Sequence, residues 1–332
     1  MKRKNHKDKE SFRPAFGLAN RHLQTVYSSL FRPQIKIEFQ KKRFTLSDGD
    51  FLECYWHTTS KKIKNAPLVI LFHGLAGDYK SPYIQGVIQE LDNDGYNSVL
   101  MHFRGCAENE NILPRSYHSG DSGDALEFIQ SVKQEFSDSK IYAVGYSLGA
   151  NMLLKLLGEL QKNTLLEKAV AVSPPMQLDV CANQMNRGFS KYYQHRLLKN
   201  LNQSLEKKYD KHHMHKHLQL KRENIKNIKS FWQFDAAYTA PIHGFTSAND
   251  YYTKSSSKQY LKHIKTPTLI IHSHDDPFMT PEVIPHKNEL SDSIQFELTQ
   301  KGGHVGFISG TLFKPEYWLE KRVVRFFTST KE

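Results

Sequence analysis

The chain has 332 residues, of which 39% are hydrophobic, and a formal net charge of +12. That length accommodates one α/β core with an inserted segment, and the apolar share is ordinary for a globular protein. The three cysteines, Cys54, Cys106 and Cys181, are far apart and form no CxxC pair. They therefore argue against a disulfide framework and a zinc site, and they favour a reducing compartment.

Residues 1–11 are polar and mainly basic, which predicts a flexible N-terminus, and residues 12–332 are expected to form a single domain. The opening residues lack the apolar run of a signal peptide. A stretch of about 18 consecutive apolar residues, which a membrane-spanning helix needs, is also missing. We therefore expect a soluble, cytoplasmic protein, and the sequence carries no signal for an oligomeric state.

Short apolar runs alternate with longer amphipathic stretches along most of the chain. Five of these runs are bounded by turn or polar residues and predict buried strands: residues 68–72, 98–103, 141–144, 169–172 and 268–272. Residues 83–92 and 122–135 predict helices between them, with Asp121 and Asp124 as capping residues of the second helix. The alternation predicts a mostly parallel sheet flanked by helices. Two earlier runs, residues 35–39 and 51–56, predict an antiparallel edge.

This alternation breaks after the Ser-Pro-Pro sequence at residues 173–175. Residues 176–264 are helical in pattern, basic and without a core strand, and the strand rhythm resumes at Thr268. The pattern predicts a helical cap inserted between two core strands. Such a cap is expected over the carboxyl ends of the strands, where α/β sheets bind ligands.

Ser147 stands at the centre of the pentapeptide Gly-Tyr-Ser-Leu-Gly at residues 145–149. A predicted strand lies directly before it, and residues 150–157 predict a helix directly after it. A sharp strand-to-helix turn of this kind raises a serine hydroxyl above the sheet, and it requires small residues because strand and helix approach closely. The helix N-terminus then favours developing negative charge. Ser147 is therefore the predicted nucleophile.

A serine hydroxyl is a weak nucleophile unless a base removes its proton, and in this arrangement an acid and then a histidine follow the serine along the chain. Asp275 and Asp276 follow the strand at residues 268–272. Asp276 is preferred as the orienting acid because it directly precedes Pro-Phe, whereas Asp275 is expected in a turn or cap. His304 lies in a glycine-rich loop and is the predicted general base.

Two backbone N–H groups are expected to stabilise the negatively charged oxygen of the reaction intermediate. One belongs to Leu148, directly after the nucleophile. The other is assigned to Leu75, in the loop after the strand at residues 68–72. His73 in that loop is expected to be structural, because His304 already supplies the base. This chemistry requires no cofactor and no metal.

Five stretches resemble the YheT-like branch of α/β-hydrolases, the AB hydrolase 4 family, which includes eukaryotic α/β-hydrolase-domain lipases and medium-chain ethanol acyltransferases. They are residues 16–25, 73–75, 103–106, 117–121 and 235–276. In the last stretch the second acid of the final pair is the more restricted position, which favours Asp276. The resemblance implies an α/β-hydrolase fold, a triad of Ser147, Asp276 and His304, and hydrolysis of acylglycerols or other fatty-acyl esters.

Residues 195–230 contain ten Lys or Arg and only three acids. A solvated helical surface is the default interpretation, and attraction to anionic lipid headgroups or to acidic substrates is the alternative. The stretch includes histidines that are not typical of the resembling family: His212, His213, His215 and His217. With no acid or cysteine at ligand spacing, they do not predict a metal site. No nucleic-acid-binding motif accompanies the charge.

The sequence therefore predicts a serine carboxylic-ester hydrolase. One alternative is an acyltransferase that passes the acyl group to an alcohol on the same triad. The other alternative is a catalytically silent α/β-hydrolase that acts as a binding protein.

Overall fold

An eight-stranded sheet forms the centre of the structure, a computed structural model that describes residues 11–311 and 313–329. The first ten residues of the predicted basic N-terminus therefore lie outside the described residues. The strands are β1 (Gln40–Thr45), β2 (Phe51–His57), β3 (Leu68–Phe72), β4 (Asn97–Met101), β5 (Ile141–Tyr146), β6 (Lys168–Val172), β7 (Thr268–Ser273) and β8 (Ile294–Thr299). Their order across the sheet is β1-β2-β4-β3-β5-β6-β7-β8. Only β1 with β2 and β2 with β4 pair antiparallel; every other pairing in this sheet is parallel.

Helices cover the sheet and connect its strands. Those in the described residues are α1 (Arg21–Phe31), α2 (Pro82–Asn93), α3 (Ser122–Glu135), α4 (Leu148–Leu160), α5 (Leu178–Met185), α6 (Ser190–Lys211), α7 (Phe231–Phe234), α8 (Ala240–Ile242), α9 (Ala248–Ser255) and α10 (Trp318–Thr328). A small antiparallel hairpin, β9 (Ile308–Gly310) with β10 (Pro315–Tyr317), precedes α10. None of the described helices is both long and apolar enough to cross a membrane.

The central strands are apolar on both faces because helices bury both. Along β3, Leu68, Ile70 and Phe72 belong to one apolar cluster together with residues of α3 and α4. Val69 and Leu71 belong to the cluster on the other face, with residues of α2 and α10. Successive strand side chains point to opposite faces, so a continuous apolar run is what a doubly covered strand requires.

The five predicted buried strands are confirmed as β3 to β7, with ends that differ from the prediction by at most two residues. The predicted strand at residues 35–39 is wrong, because the edge strand is β1. Ile37 and Phe39 owe their spacing to packing against the α2 side of the core. Strand β1 lies on an exposed edge and is mostly polar, so its sequence has no apolar signal. Strand β8, half-exposed at the other edge, was not predicted.

Residues 173–267, here called the insertion segment, connect β6 to β7. All of them are described, and they form helices α5 to α9 and short turns but no strand. A π-helical turn at Asp235–Thr239 joins α7 to α8, and 3-10 turns form at Met214–Lys216, Arg222–Asn227 and Lys258–His263. Part of the segment has an apolar cluster of its own, which includes Leu205, Ile225 and Phe234.

A buried ion cluster joins the start of the sheet to α3, and it corrects the capping prediction. The Asp121 side chain makes no capping hydrogen bond at the start of α3 but pairs with Arg115 at 3.1 Å. Asp124 accepts two hydrogen bonds from Arg104, at 2.6 and 2.7 Å. Asp50 lies 2.8 Å from the same guanidinium. A buried guanidinium such as that of Arg104 is strongly destabilising without such partners. The carboxylates of Asp121 and Asp124 therefore pair with arginines, although both residues lie at the start of α3.

One lysine of the basic stretch departs from the predicted solvated surface. Lys208 of α6 is 4% exposed, and its Nζ donates to the carbonyl of Leu113 at 2.7 Å and to the side chain of Asn111. Burial lowers the pKa of Lys208 to about 8, although Asp50 and Glu110 oppose the shift. The ammonium therefore anchors the insertion segment to the loop that follows β4.

Candidate active site

Ser147 occupies the turn between β5 and α4 in a conformation that non-glycine residues rarely adopt. Its φ is 50° and its ψ is −117°. A positive φ brings the side chain into conflict with its own backbone. The N–H of Ser147 donates to the carbonyl of Val172 on β6 at 2.8 Å, which holds the turn against the sheet. A strained conformation of this kind persists only where surrounding contacts hold it, so these contacts place the Ser147 side chain in one orientation.

The two glycines that flank Ser147 are required by close backbone contacts. A Cβ on Gly145 would lie 2.6 Å from the carbonyl oxygen of Gly149. A Cβ on Gly149 would lie 2.6 Å from the carbonyl oxygens of both Phe72 and His73. Both distances are shorter than a van der Waals contact, and the overlapping atoms belong to the backbone. Helix α4 can therefore approach β3 and β5 this closely only with glycine at both positions.

The structure brings the three predicted triad residues together. His304 Nε2 lies 2.9 Å from Ser147 Oγ, and His304 Nδ1 lies 2.7 Å from Asp276 Oδ2. The other carboxylate oxygen of Asp276 accepts the N–H of Phe278 at 2.8 Å. The ring of Phe278 stacks on the imidazole with a centroid distance of 4.1 Å. Asp276 and His304 are both buried. The imidazole is therefore positioned by the stacked ring of Phe278 on one face and by the carboxylate of Asp276 at Nδ1.

Asp275 lies next to Asp276 but faces a different part of the loop. Its Oδ1 accepts the N–H of Gly303 at 3.0 Å and the hydroxyl of Ser273. Lys301 lies 3.7 Å from its other oxygen. These contacts hold the loop that carries His304, as the turn role expected for Asp275 requires.

Helix α1 supports the His304 loop from outside. The N–H of His304 donates to Thr25 Oγ1 at 2.9 Å. A Cβ on Gly306 would lie 2.3 Å from the carbonyl oxygen of Gln24, and a Cβ on Gly303 would lie 2.5 Å from that of Arg21. The supporting helix belongs to the first stretch of the family resemblance, which was the only sequence signal for its part in the site.

The backbone N–H groups in the loop after β3 differ in whether they have an acceptor. The N–H of Gly74 donates to the hydroxyl of Tyr83 at 3.0 Å, and the N–H of Ala76 donates to that of Tyr117, also at 3.0 Å. Between them, the N–H of Leu75 has no acceptor among the described residues. Leu75 and Leu148 line the same pocket as Ser147. Sequence reasoning missed both tyrosines.

His73 supports this loop through both ring nitrogens. Its Nδ1 lies 2.7 Å from the carbonyl oxygen of Gly74, and its Nε2 lies 3.2 Å from the N–H of Phe103. Complete burial, reinforced by His102 nearby, lowers the pKa of His73 to about 3. The ring is therefore neutral, with Nδ1–H as donor and Nε2 as acceptor.

A pocket of about 360 Å³ contains Ser147 and His304 and extends beneath the insertion segment. Its lining is mainly apolar, with side chains from α5, α6 and α7 that include Leu178, Met185, Leu197, Leu201, Leu205 and Phe234. Asp235 interrupts this apolar wall and accepts the hydroxyl of Tyr252 at 2.6 Å. Burial raises the pKa of Asp235 to about 6. This acid, in the π-helical turn, is the first residue of the last stretch of the family resemblance, but the sequence analysis assigned it no chemical role.

The histidines near His212 form no metal site among the described residues, where no three His, Cys, Asp or Glu side chains come close enough to hold an ion.

Comparison with known proteins assigns the chain to a family. Residues 67–311 match the α/β-hydrolase fold model. The chain is 40% identical to YheT of Escherichia coli, over 97% of this chain and 94% of that protein. It is 32% identical to medium-chain fatty acid ethyl ester synthase/esterase 2 of Saccharomyces cerevisiae, over 80% of this chain and 63% of that protein. The esterase Pf2001 of Pyrococcus furiosus superposes with a TM-score of 0.56 at 19% identity, over 88% of this chain and 92% of that one.

The chain therefore belongs to the α/β-hydrolase family, and the predicted fold class is confirmed. Within this family it is a member of the YheT-like branch, as its motifs indicated. It is an enzyme of the esterase and lipase type, a carboxylic ester hydrolase that acts on ester substrates.

Gly149→Ala is expected to lower the free energy of unfolding by about 3 kcal/mol, because the new methyl group overlaps two backbone carbonyls. Gly123→Ala is the matched control, since a Cβ at this helical position meets nothing within 4 Å. That variant should gain up to about 1 kcal/mol from helix propensity. Urea unfolding followed by circular dichroism measures both changes. Equal midpoints for the two variants would contradict the close approach of α4 and β3.

Proposed function

We propose that Ser147, His304 and Asp276 form a catalytic triad that hydrolyses fatty-acyl esters through an acyl-serine intermediate. The observation that carries this proposal is the pair of contacts on one imidazole. Nε2 lies 2.9 Å from the serine hydroxyl, and Nδ1 lies 2.7 Å from a buried carboxylate. A nucleophile, a base and an orienting acid in hydrogen-bond reach are the arrangement that acyl transfer needs.

In the first step, Ser147 Oγ attacks the ester carbonyl carbon while His304 Nε2 takes the hydroxyl proton. Asp276 holds Nδ1–H and stabilises the positive charge that forms on the ring. The carbonyl oxygen becomes an oxyanion, which the N–H groups of Leu75 and Leu148 bind. When the intermediate collapses, the ester C–O bond breaks and His304 returns the proton to the departing alcohol.

In the second step, His304 takes a proton from water, and the resulting hydroxide attacks the acyl-serine carbonyl. The same two N–H groups bind the second oxyanion. Collapse breaks the bond to Ser147 Oγ, which recovers its proton from His304, and the carboxylic acid leaves. Every transferred proton passes through one imidazole, so the reaction needs neither metal nor cofactor.

The pocket favours acyl esters as substrates. Its largely apolar lining accepts an acyl chain, and its volume of about 360 Å³ is sufficient for a short or medium chain. Acylglycerols and simple alkyl esters are the substrate classes we propose. We further propose that residues 12–332 form one domain in which residues 176–264 are the cap, because this stretch supplies most of the pocket wall opposite the sheet.

The surroundings of the enzyme are proposed from its charge and its cysteines. Most of the basic stretch at residues 195–230 is exposed, which supports contact with anionic lipid headgroups. Cys54, Cys106 and Cys181 are all free thiols, which supports a reducing, cytoplasmic location.

A second candidate is acyl transfer to an alcohol in place of water. The observation that favours it is the yeast relative whose name describes both a fatty acid ethyl ester synthase and an esterase. Any alcohol that reaches the acyl-serine competes with water for the same carbonyl.

The native protein should be labelled at Ser147 by a fluorophosphonate, because the activated hydroxyl attacks phosphorus as it attacks an ester. Ser147→Ala should abolish labelling, whereas Ser173→Ala tests a nearby serine that also has positive φ and should leave Ser147 labelled. Fluorescence of the gel band measures each reaction. An unlabelled native protein would favour the catalytically silent binding protein.

Asp276→Asn should lower kcat on p-nitrophenyl butyrate by about two to four orders of magnitude, because the amide no longer stabilises the imidazolium. Asp275→Asn is the matched control, with a neighbouring carboxylate that contacts the His304 loop but not the ring. Its loss should be much smaller and accompanied by reduced thermal stability. A larger kcat loss in Asp275→Asn would reverse the assignment of the orienting acid.

Adding ethanol to the ester reaction separates hydrolase from transferase. A hydrolase should release mainly free acid at every ethanol concentration, as measured by chromatography of the products. Ethyl ester formed faster than free acid, with Ser147→Ala giving neither product, would establish the transferase candidate.

A further inference from the structure

Large apolar side chains are exposed on two neighbouring elements, the outer face of α1 and the start of α6. Leu23 and Leu30 on α1 are 45% and 64% exposed, and Phe189 and Tyr192 at the start of α6 are 57% and 52% exposed. The ring of His22 on α1 contacts that of Phe189 with a centroid distance of 4.6 Å, which joins the two elements. These four apolar residues, with His22 between them, are called the aromatic surface below.

The aromatic surface is continuous with the catalytic histidine. Phe189 contacts Tyr193 at 5.6 Å, Tyr193 contacts Phe278 at 5.0 Å, and Phe278 stacks on His304 at 4.1 Å between ring centroids. On the α1 side, Thr25 binds the backbone of His304 directly. The surface is therefore connected to His304 through the rings of Tyr193 and Phe278.

The two segments that supply the aromatic surface carry charge of one sign, and the nearby acids, Asp275 beside His22 and Glu282 beside Arg187, belong to other loops. The two segments, residues 11–31 and 186–204, contain no aspartate or glutamate. Their arginines and lysines are exposed: Arg13, Arg21, Arg187, Lys191, Arg196 and Lys199. Exposed aromatic and leucine side chains set among cations are the composition of protein surfaces that enter the headgroup region of anionic bilayers.

Helix α6 connects this surface to the interior of the pocket. It begins at Ser190 beside the exposed Phe189, and further along it Leu197, Leu201 and Leu205 line the pocket. A row of apolar side chains on α6 thus leads from the outside of the molecule toward the cavity that contains Ser147, with Asn200 and Ser204 beside it in the lining.

We propose that the aromatic surface docks onto an anionic lipid surface, with Leu23, Leu30, Phe189 and Tyr192 in the headgroup region and the surrounding cations on the lipid phosphates. Esters dissolved in the lipid then reach the pocket along α6 without crossing water. The benefit to catalysis rests on the proposed ester hydrolysis, but docking itself does not.

The test measures sedimentation of the full chain with vesicles of equal parts phosphatidylglycerol and phosphatidylcholine. The double variant Leu23→Ser/Tyr192→Ser should bind about tenfold more weakly or worse, because two apolar side chains no longer enter the lipid. The control Ile63→Ser/Leu165→Ser removes side chains that are 46% and 37% exposed in loops leading to the amino ends of β3 and β6. It should bind as the native chain does.

Binding of the native chain should weaken as salt is added and be weaker on pure phosphatidylcholine. Equal loss in both double variants, or binding insensitive to salt and headgroup, would overturn the proposal. A concentration-dependent dimer in sedimentation equilibrium, abolished only by Leu23→Ser/Tyr192→Ser, would assign the surface to a second copy of the chain instead. Hydrolysis of soluble p-nitrophenyl butyrate is measured in parallel: a native chain that hydrolyses it but ignores vesicles refutes docking alone.

Discussion

The strained backbone of Ser147 is the constraint on which the rest of the molecule depends. A non-glycine residue held at positive φ costs about 1–3 kcal/mol, so it persists only where its surroundings determine it fully. Here Val172 on β6 holds the N–H of Ser147, while Gly145 and Gly149 let α4 reach the backbone of β5 and β3. Three adjacent parallel strands and one helix thus converge on a single turn. They can do so because β3, β5 and β6 are neighbours in the sheet.

A second set of contacts, all polar, builds the remainder of the site around that turn. The buried guanidinium of Arg104 binds Asp50 and Asp124, and so fixes the loop that leaves β4. The same loop carries Tyr117, whose hydroxyl accepts the N–H of Ala76, the residue after Leu75. The buried ion cluster therefore helps to position the loop that contains Leu75 and Ala76.

The sequence was sufficient where the signal is local or covalently ordered. The five buried strands are apolar on both faces, so their apolar runs are continuous. Ser147, Asp276 and His304 stand in the order along the chain that is typical of the α/β-hydrolase fold. Strands β1 and β8 were not predicted, because an exposed edge strand needs no apolar pattern. The partners of Asp121, Asp124 and Lys208 were not predicted for a different reason. Asp121 pairs with Arg115 across a loop and Asp124 pairs with Arg104, while Lys208 binds a carbonyl and an amide from a distant part of the chain. No helical or strand periodicity encodes these pairings. Tyr83 and Tyr117 were likewise not predicted, because each acts through one hydroxyl that accepts a backbone N–H of the loop after β3.

The insertion segment has an apolar cluster of its own, formed by residues such as Leu205, Ile225 and Phe234, apart from the two clusters that flank the sheet. A substitution there alters a small separate core and the pocket wall above it, while the strained turn and the paired imidazole keep their supports. The shape of the cavity can therefore change while Ser147, Asp276 and His304 keep their positions. The helices of the insertion segment shape the pocket wall, whereas the sheet and the backbone contacts at Gly145 and Gly149 hold the turn at Ser147.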